Sequence, residues 1–213
     1  MALEARQSGW TRGTRGRIGC WAAILAFPPA RSAPRRATMG RMDLLSRERI
    51  VEAFERLNGE LAKQNVRAEV YLVGGAVMCL VLEARPATKD VDGWFTEPQA
   101  VRAAAKRVAE QMDLPDDWLN DAAKTFVPQG ATFERWRSLS HLDVSAADER
   151  TLLAMKCAAA RTEEDAGDIR VLARHLGLRT AGEVLTVVSQ YYPPERLPVR
   201  TALLLEEMFD DRP

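Results

Sequence analysis

Histidine and cysteine are scarce in this chain of 213 residues. His141 and His175 are the only imidazoles, and Cys20, Cys79 and Cys157 the only thiols. Three unpaired thiols without metal-type spacing argue against a disulfide framework, and with so few histidines against zinc chemistry. A reducing, cytoplasmic compartment fits. Long apolar runs are lacking too. The run Cys20–Phe27 has eight residues, short of a membrane span, so no membrane partner is expected. An excess of one charge sign is also missing, with 30 basic against 30 acidic residues, which argues against coating nucleic acid by bulk charge. What is present is an ordinary globular mixture, 46% hydrophobic and 28% charged, which excludes a wholly disordered or collagenous chain.

The balanced charge is an average over unequal parts. Residues 1–41 hold eight arginines and one acid (Glu4), a net +7, which leaves 22 bases against 29 acids, a net −7, in 42–213. The first segment is rich in Gly, Pro, Ser and Thr and has no sustained period, so it buries too little apolar surface to offset its ordering entropy. Three readings compete for it: a signal peptide around the short apolar run, a nucleic-acid-binding arm, or an unstructured leader translated from an upstream start. Met39 and Met42 stand at the compositional break, which favours the last.

Beyond the break the pattern predicts a helix from the N-cap Ser46 to about 63, with Ile50, Val51, Phe54, Leu57 and Leu61 at helical spacing. A strand at 69–73 stops at Gly74-Gly75, and a buried helix at 76–84 is broken by Arg85-Pro86. A strand at 88–95 carries Asp90 and Asp92, and a helix opens at Pro98 and runs to about 112. Residues 113–130 read as irregular with a short helix near 118–124, followed by strands near 131–139 and 141–145. Helices at 148–160, 165–176, 180–190 and about 196–209 complete the chain. The order predicts an α+β fold in which a small mixed sheet carries flanking helices and a C-terminal helical bundle. The expected organisation is a leader (1–41), an α/β core (42–146) and a helical region packed on it (147–213).

Three features in this pattern carry chemistry. Gly74-Gly75, between a strand and a helix, lets the backbone approach a ligand and offers free N–H groups to an anion. Asp90 and Asp92, two apart on a strand, present two carboxylates to one face, a donor pair suited to magnesium shared with substrate phosphates. Lys156 interrupts an apolar helix, so its ammonium should meet anions, with Asp165 and Asp168 one turn apart on the next helix. Each has a plainer structural explanation: a turn glycine pair, chance carboxylate spacing, a snorkelling lysine, helix-start acids. Asp143 is a candidate third carboxylate of unknown facing. Trp94 and Phe95 are candidates for stacking on a base, although adjacent strand residues face opposite ways, so at least one belongs to the core. Arg85 is read either as a phosphate contact or as a solvated loop residue.

In this order, Gly74-Gly75, a buried helix, Thr88-Lys89-Asp90-Val91-Asp92, Lys156, Arg161, Asp165 and Asp168-Ile169 resemble the nucleotidyltransferase superfamily. Within it they look most like the small bacterial proteins that include the AbiEii toxins of type IV toxin–antitoxin systems. The likeness covers about residues 43–212, and the leader has no counterpart in it. The resemblance implies a sheet of the nucleotidyltransferase type and transfer of a nucleotide from an NTP to an acceptor with Mg2+. It implies catalytic roles for Asp90, Asp92, Lys156 and Asp168, with Asp90 and Asp92 as metal ligands. Gly74, Gly75, Thr88, Lys156 and Asp165 would bind nucleotide. Transfer RNA, a protein side chain and a small molecule are the acceptor classes, and a cognate antitoxin is the implied partner. The superfamily's usual Gly-Ser is Gly74-Gly75 here, which removes a phosphate-binding hydroxyl. That leaves a second reading, a catalytically degenerate nucleotidyltransferase fold that binds without turnover. A nucleic-acid binder acting through the Arg-rich leader is the third.

Overall fold

The computed structural model describes residues 44–159 and 164–209. Residues 1–43, with Cys20, Met39 and Met42, and also Arg161, lie outside the described residues. The first long helix forms as its pattern dictates. Ser46 Oγ accepts the Arg49 N–H at 3.3 Å and caps α1 (Arg47–Lys63), which buries Ile50, Ala53, Phe54, Leu57 and Leu61 along one face. The short strand β1 (Leu45–Ser46) precedes it.

β2 (Ala68–Leu72) alternates buried Ala68, Val70 and Leu72 with half-buried Glu69 and Tyr71, as a strand covered on one face should. α2 (Gly74–Leu80) starts on the glycines themselves and ends at Leu80, two residues earlier at its start and four earlier at its end than the apolar pattern predicts. The strand expected over 88–95 is broken. Its first part is β3 (Ala87–Thr88), which pairs antiparallel with β1; its second is β4 (Val91–Phe95), which pairs antiparallel with β2. Lys89 and Asp90 span the join, so Asp90 stands just before the strand rather than in it.

α3 (Pro98–Met112) opens at its proline and buries Val101, Ala104, Ala105, Val108 and Ala109. In place of a helix near 118–124 there is β5 (Leu119–Asn120) and a 3-10 turn, Ala122–Phe126. Trp118 is held instead by long-range contacts, its carbonyl accepting the Val91 N–H at 2.7 Å. It is fully buried, donates Nε1–H to the Ala105 carbonyl at 3.0 Å and meets Phe54 edge to face. β6 (Phe133–Ser138) and β7 (Leu142–Ala147) form a hairpin with a bulge between Arg135 and Arg137.

The larger sheet has the order β5-β4-β2-β7-β6, with β2–β7 and β4–β5 parallel and the other pairs antiparallel. α1 and α3 pack against each other, and Phe54 of α1 reaches Trp118 and Trp136 on the covered side of this sheet. The opposite face carries Glu69, Tyr71, Asp92, Trp94, Phe133, Arg135, Asp143 and Ser145.

α4 (Glu149–Ala159), α5 (Glu164–His175), α6 (Ala181–Ser189) and α7 (Val199–Phe209) follow, with a 3-10 turn at Pro194–Arg196 where the pattern placed the start of the last helix. A Thr180/Glu183 capping box starts α6. The helices belong to the same compact unit as the sheet. Thr201 donates to the Cys157 carbonyl at 2.9 Å to tie α7 to α4, and the Tyr192 hydroxyl bonds the Phe126 carbonyl. The observed fold is thus α+β with a five-stranded mixed sheet.

One buried carboxylate fastens α1 to α3. Glu60, 4% exposed, accepts from Lys63 (2.6 Å), Arg107 (2.6 Å) and Gln111 (2.9 Å). These donors, Lys63 foremost, hold its carboxyl down at about 2, against an ordinary 4.5. A depressed carboxyl stabilises the fold fully above its unfolded value and loses that contribution as pH falls through its folded value. The melting temperature is therefore expected to decline from about pH 4.5 towards pH 2. Circular dichroism melts across that range should show a shallower decline in Glu60→Gln.

Candidate functional site

Two glycines and two side chains from different elements make the first contact of the site. β2 ends in extended backbone at Val73, whose N–H donates to the Asp92 carbonyl at 2.9 Å. Gly74 then takes φ +68°, a conformation that favours glycine, and a Cβ there would lie 3.1 Å from Asp92 Oδ2. A Cβ on Gly75 would lie 2.6 Å from Thr88 Oγ1, closer than such atoms can approach. The glycine pair therefore does more than turn the chain, because it leaves the room that the Asp92 and Thr88 side chains occupy.

Asp90 and Asp92 are both half-buried, on either side of Val91, which is fully buried. Asn120 Nδ2 approaches Asp90 Oδ2 at 3.4 Å, and β5 pairs Asn120 with Asp92. Asn120 was not foreseen in the sequence, since an amide in an irregular stretch carries no pattern of its own. Two carboxylates flanking one strand residue, still reachable by solvent, fit a magnesium ion that completes its shell with phosphate oxygens and water. Among the described residues no group of three or more His, Cys, Asp and Glu side chains gathers for a metal.

The helical half of the site is a buried ionic quartet. Lys156 Nζ of α4 lies 2.6 Å from Asp165 Oδ1 and 2.9 Å from Asp168 Oδ2 of α5. Asp168 also receives Arg85 through two parallel bonds, Nε to Oδ1 at 2.7 Å and Nη2 to Oδ2 at 2.6 Å. Asp165 and Asp168 are 4% and 3% exposed, so both depend on these partners. Arg85 comes from the loop after α2, and its Nη1 lies 3.7 Å from where a Gly75 Cβ would stand. Direct bonds thus join Arg85, Lys156, Asp165 and Asp168, and Gly75 leaves the room that Thr88 and Arg85 take, next to Gly74 and Asp92; Asp90 precedes Asp92 by two residues, at the join of β3 and β4.

Asp143 is not brought to this group. It faces the open side beside Glu69, held by Arg67 and Arg135 at 2.8 Å each and by the Ser138 hydroxyl. Those donors, Ser138 foremost, hold its carboxyl at about 2. Asp92 is aligned with Val73, and Val73 follows the Leu72–Ala146 pair, so Asp143 lies four residues back along β7. That is about 13 Å along the strand direction alone. Trp94 is stacked on Tyr71, centroids 4.1 Å apart and planes 9° from parallel, so one of its ring faces is already covered, while Phe95 is a core residue at 5% exposed. Cys79 and Cys157 are buried, and desolvation pushes the Cys157 thiol up to about 12. The His141 and His175 rings make exposed contacts with Ser140 and Glu149. A depression of about 510 Å³ lies between Arg47, Glu48, Cys79, Glu83, Ala84, Arg85 and Pro86; of the residues above it shares only Cys79 and Arg85, and neither Asp90 nor Asp92.

Comparison with protein-family models, with curated proteins and with solved structures gave no match. No described helix is long and apolar enough to cross a membrane.

Proposed function

We propose that the chain transfers a nucleotide from an NTP to a hydroxyl-bearing acceptor. The observation that carries this reading is the close approach of Asp92 to Gly74 and of Thr88 to Gly75, which sets a glycine turn against one carboxylate of the Asp90/Asp92 pair. A phosphate-binding turn and a metal-binding pair must be neighbours if one nucleotide is to touch both. The Lys156–Asp165–Asp168 group, tied to the same loop by Arg85, adds a cation whose position is fixed by two carboxylates.

In this reading Asp90 and Asp92 would hold Mg2+, and the backbone N–H groups at Gly74-Gly75, with the Thr88 hydroxyl, would take the β- and γ-phosphates. When bound, the ion would neutralise charge on the phosphates as the α-phosphorus is attacked. Lys156 contacts the triphosphate, with Asp165 and Asp168 fixing the direction of its ammonium. The acceptor hydroxyl would attack the α-phosphorus and lose its proton to solvent; the new P–O bond forms as the bond from the α-phosphorus to the bridging oxygen of the β-phosphate breaks, and pyrophosphate leaves from the glycine-turn side. A toxin held in check by a cognate antitoxin is the biological setting that the family likeness suggests. The separation of Asp143 from the pair favours one alternative: a fold that binds nucleotide without turning it over.

The test uses the full chain, Mg2+, each of four α-labelled NTPs and a cell extract as the source of acceptors. Transfer predicts label in a macromolecular or small-molecule product together with released pyrophosphate, both abolished by a chelator. Magnesium-dependent nucleotide binding without release would select the binding module. Neither binding nor release would overturn both readings.

A further inference from the structure

Arg85 takes no part in the reaction just described, yet it occupies the junction of the site. Its guanidinium grips both oxygens of Asp168, at 2.7 and 2.6 Å, across 83 residues of sequence. The same Asp168 stands 2.9 Å from Lys156 Nζ. The side chain of Arg85 is 31% exposed, against 13% for Lys156 and 5% for each aspartate, so Arg85 forms the outer end of the quartet, next to the glycine turn.

The charges explain what this accomplishes. Among the described residues Asp168 meets two cations, the Arg85 guanidinium and the Lys156 ammonium. Without Arg85, Asp168 would draw more heavily on Lys156, whose ammonium already faces Asp165. With Arg85 present, Asp168 is held by a planar fork that fixes its orientation, a geometry an ammonium cannot reproduce.

We propose that Arg85 is a positioning residue, locking Asp168 so that the Lys156 ammonium keeps both its place and its effective charge for the nucleotide phosphates. This rests on the nucleotidyl-transfer reading of the site. It makes the loop between α2 and β3 the coupling between the strand half and the helical half: a shift of the glycine turn moves Arg85, and through Asp168 it moves Lys156.

The experiment is a double-mutant cycle on the full chain with two readouts. The first is affinity for fluorescent analogues of each of the four NTPs in Mg2+. Arg85→Gln and Lys156→Gln should each weaken binding about tenfold, the scale of one charge-assisted hydrogen bond. The double variant should be no weaker than either single one, because Arg85 acts through Lys156. The second readout needs no nucleotide. In protein labelled with 15N-lysine, the Lys156 ammonium resonance should shift in Arg85→Gln and shift less in Arg85→Lys, which also serves if Arg85→Gln does not fold. Wild-type affinity in Arg85→Gln, or multiplicative losses with an unmoved Lys156 signal, would overturn the proposal. If the wild-type protein binds none of the four, the transfer reading falls. The Lys156 signal then decides the coupling alone, and an unmoved signal overturns it.

Discussion

Replacing Asp90 and Asp92 together by alanine is expected to lower nucleotide transfer about a thousandfold. A metal at a phosphoryl centre supplies several kcal/mol of charge stabilisation, and about 1.4 kcal/mol corresponds to each factor of ten in rate. The substitution should leave the fold largely intact. Both side chains are half-buried rather than core, and β4 is held to β2 by backbone bonds that an alanine does not touch. Pyrophosphate release and thermal melts on the same preparations separate the two effects: release should collapse while the midpoint moves by a few degrees. The Asp92 replacement alone should account for most of the loss, because Asp92 is the carboxylate seated against Gly74. Release within tenfold of the wild-type rate in the double variant would remove these carboxylates from the chemistry.

Gly93→Val should unfold the same region from behind. Gly93 stands between Asp92 and Trp94, opposite Leu72, and a Cβ on it would lie 2.7 Å from the Tyr71 carbonyl oxygen. The next atoms within reach are also backbone, the Tyr71 carbonyl carbon at 3.4 Å and Leu72 Cα at 3.6 Å, so no flexible side chain can yield. β4 must move off β2, at a cost of about 3 kcal/mol, the upper range for an overpacked core. For a chain of this size that is a fall in melting temperature of about 6–12 °C. The movement would also break the Val73–Asp92 backbone bond, so Asp92 would lose its seat at the glycine turn. Gly59→Ala in α1 is the matched control. Nothing lies within 4 Å of its added Cβ, and alanine should stabilise that helix by about 0.5–1 kcal/mol. Equal melting temperatures for Gly93→Val and wild type would contradict the geometry.

How far the sequence could be read depended on how local the determining forces are. α1 and α3 were legible almost to the residue, because an N-cap serine, an N1 proline and a 3.6-residue apolar period act within each helix. Lys156 announced its need for anions by interrupting an apolar helix, and Asp165 and Asp168 do meet it. The break at Lys89–Asp90 was not legible. β3 and β4 belong to different sheets, and sheet membership is decided by β1 and β2, distant in sequence. The facing of Asp143 was open for the same reason, since only the register of β7 against β2 fixes it. Arg85 reads from the sequence only as a phosphate contact or a solvated loop residue, because its partner Asp168 lies 83 residues away.

The register of β2 against β7 also has a kinetic consequence. Val70 pairs with Val144, so this parallel ladder forms only after the intervening chain has been drawn into a closed loop. Loop-closure entropy is spent before such a contact returns anything, and folding slows as contacts grow more distant in sequence. The β6–β7 hairpin and the α4–α5 pair close short loops and need no such wait. β2 meets β4 across a much shorter loop, so the approach of Gly74 to Asp92 needs no such wait either. Arg85 and Asp168 are 83 residues apart, so the joining of the strand half of the candidate site to its helical half is the step that waits on distant closure.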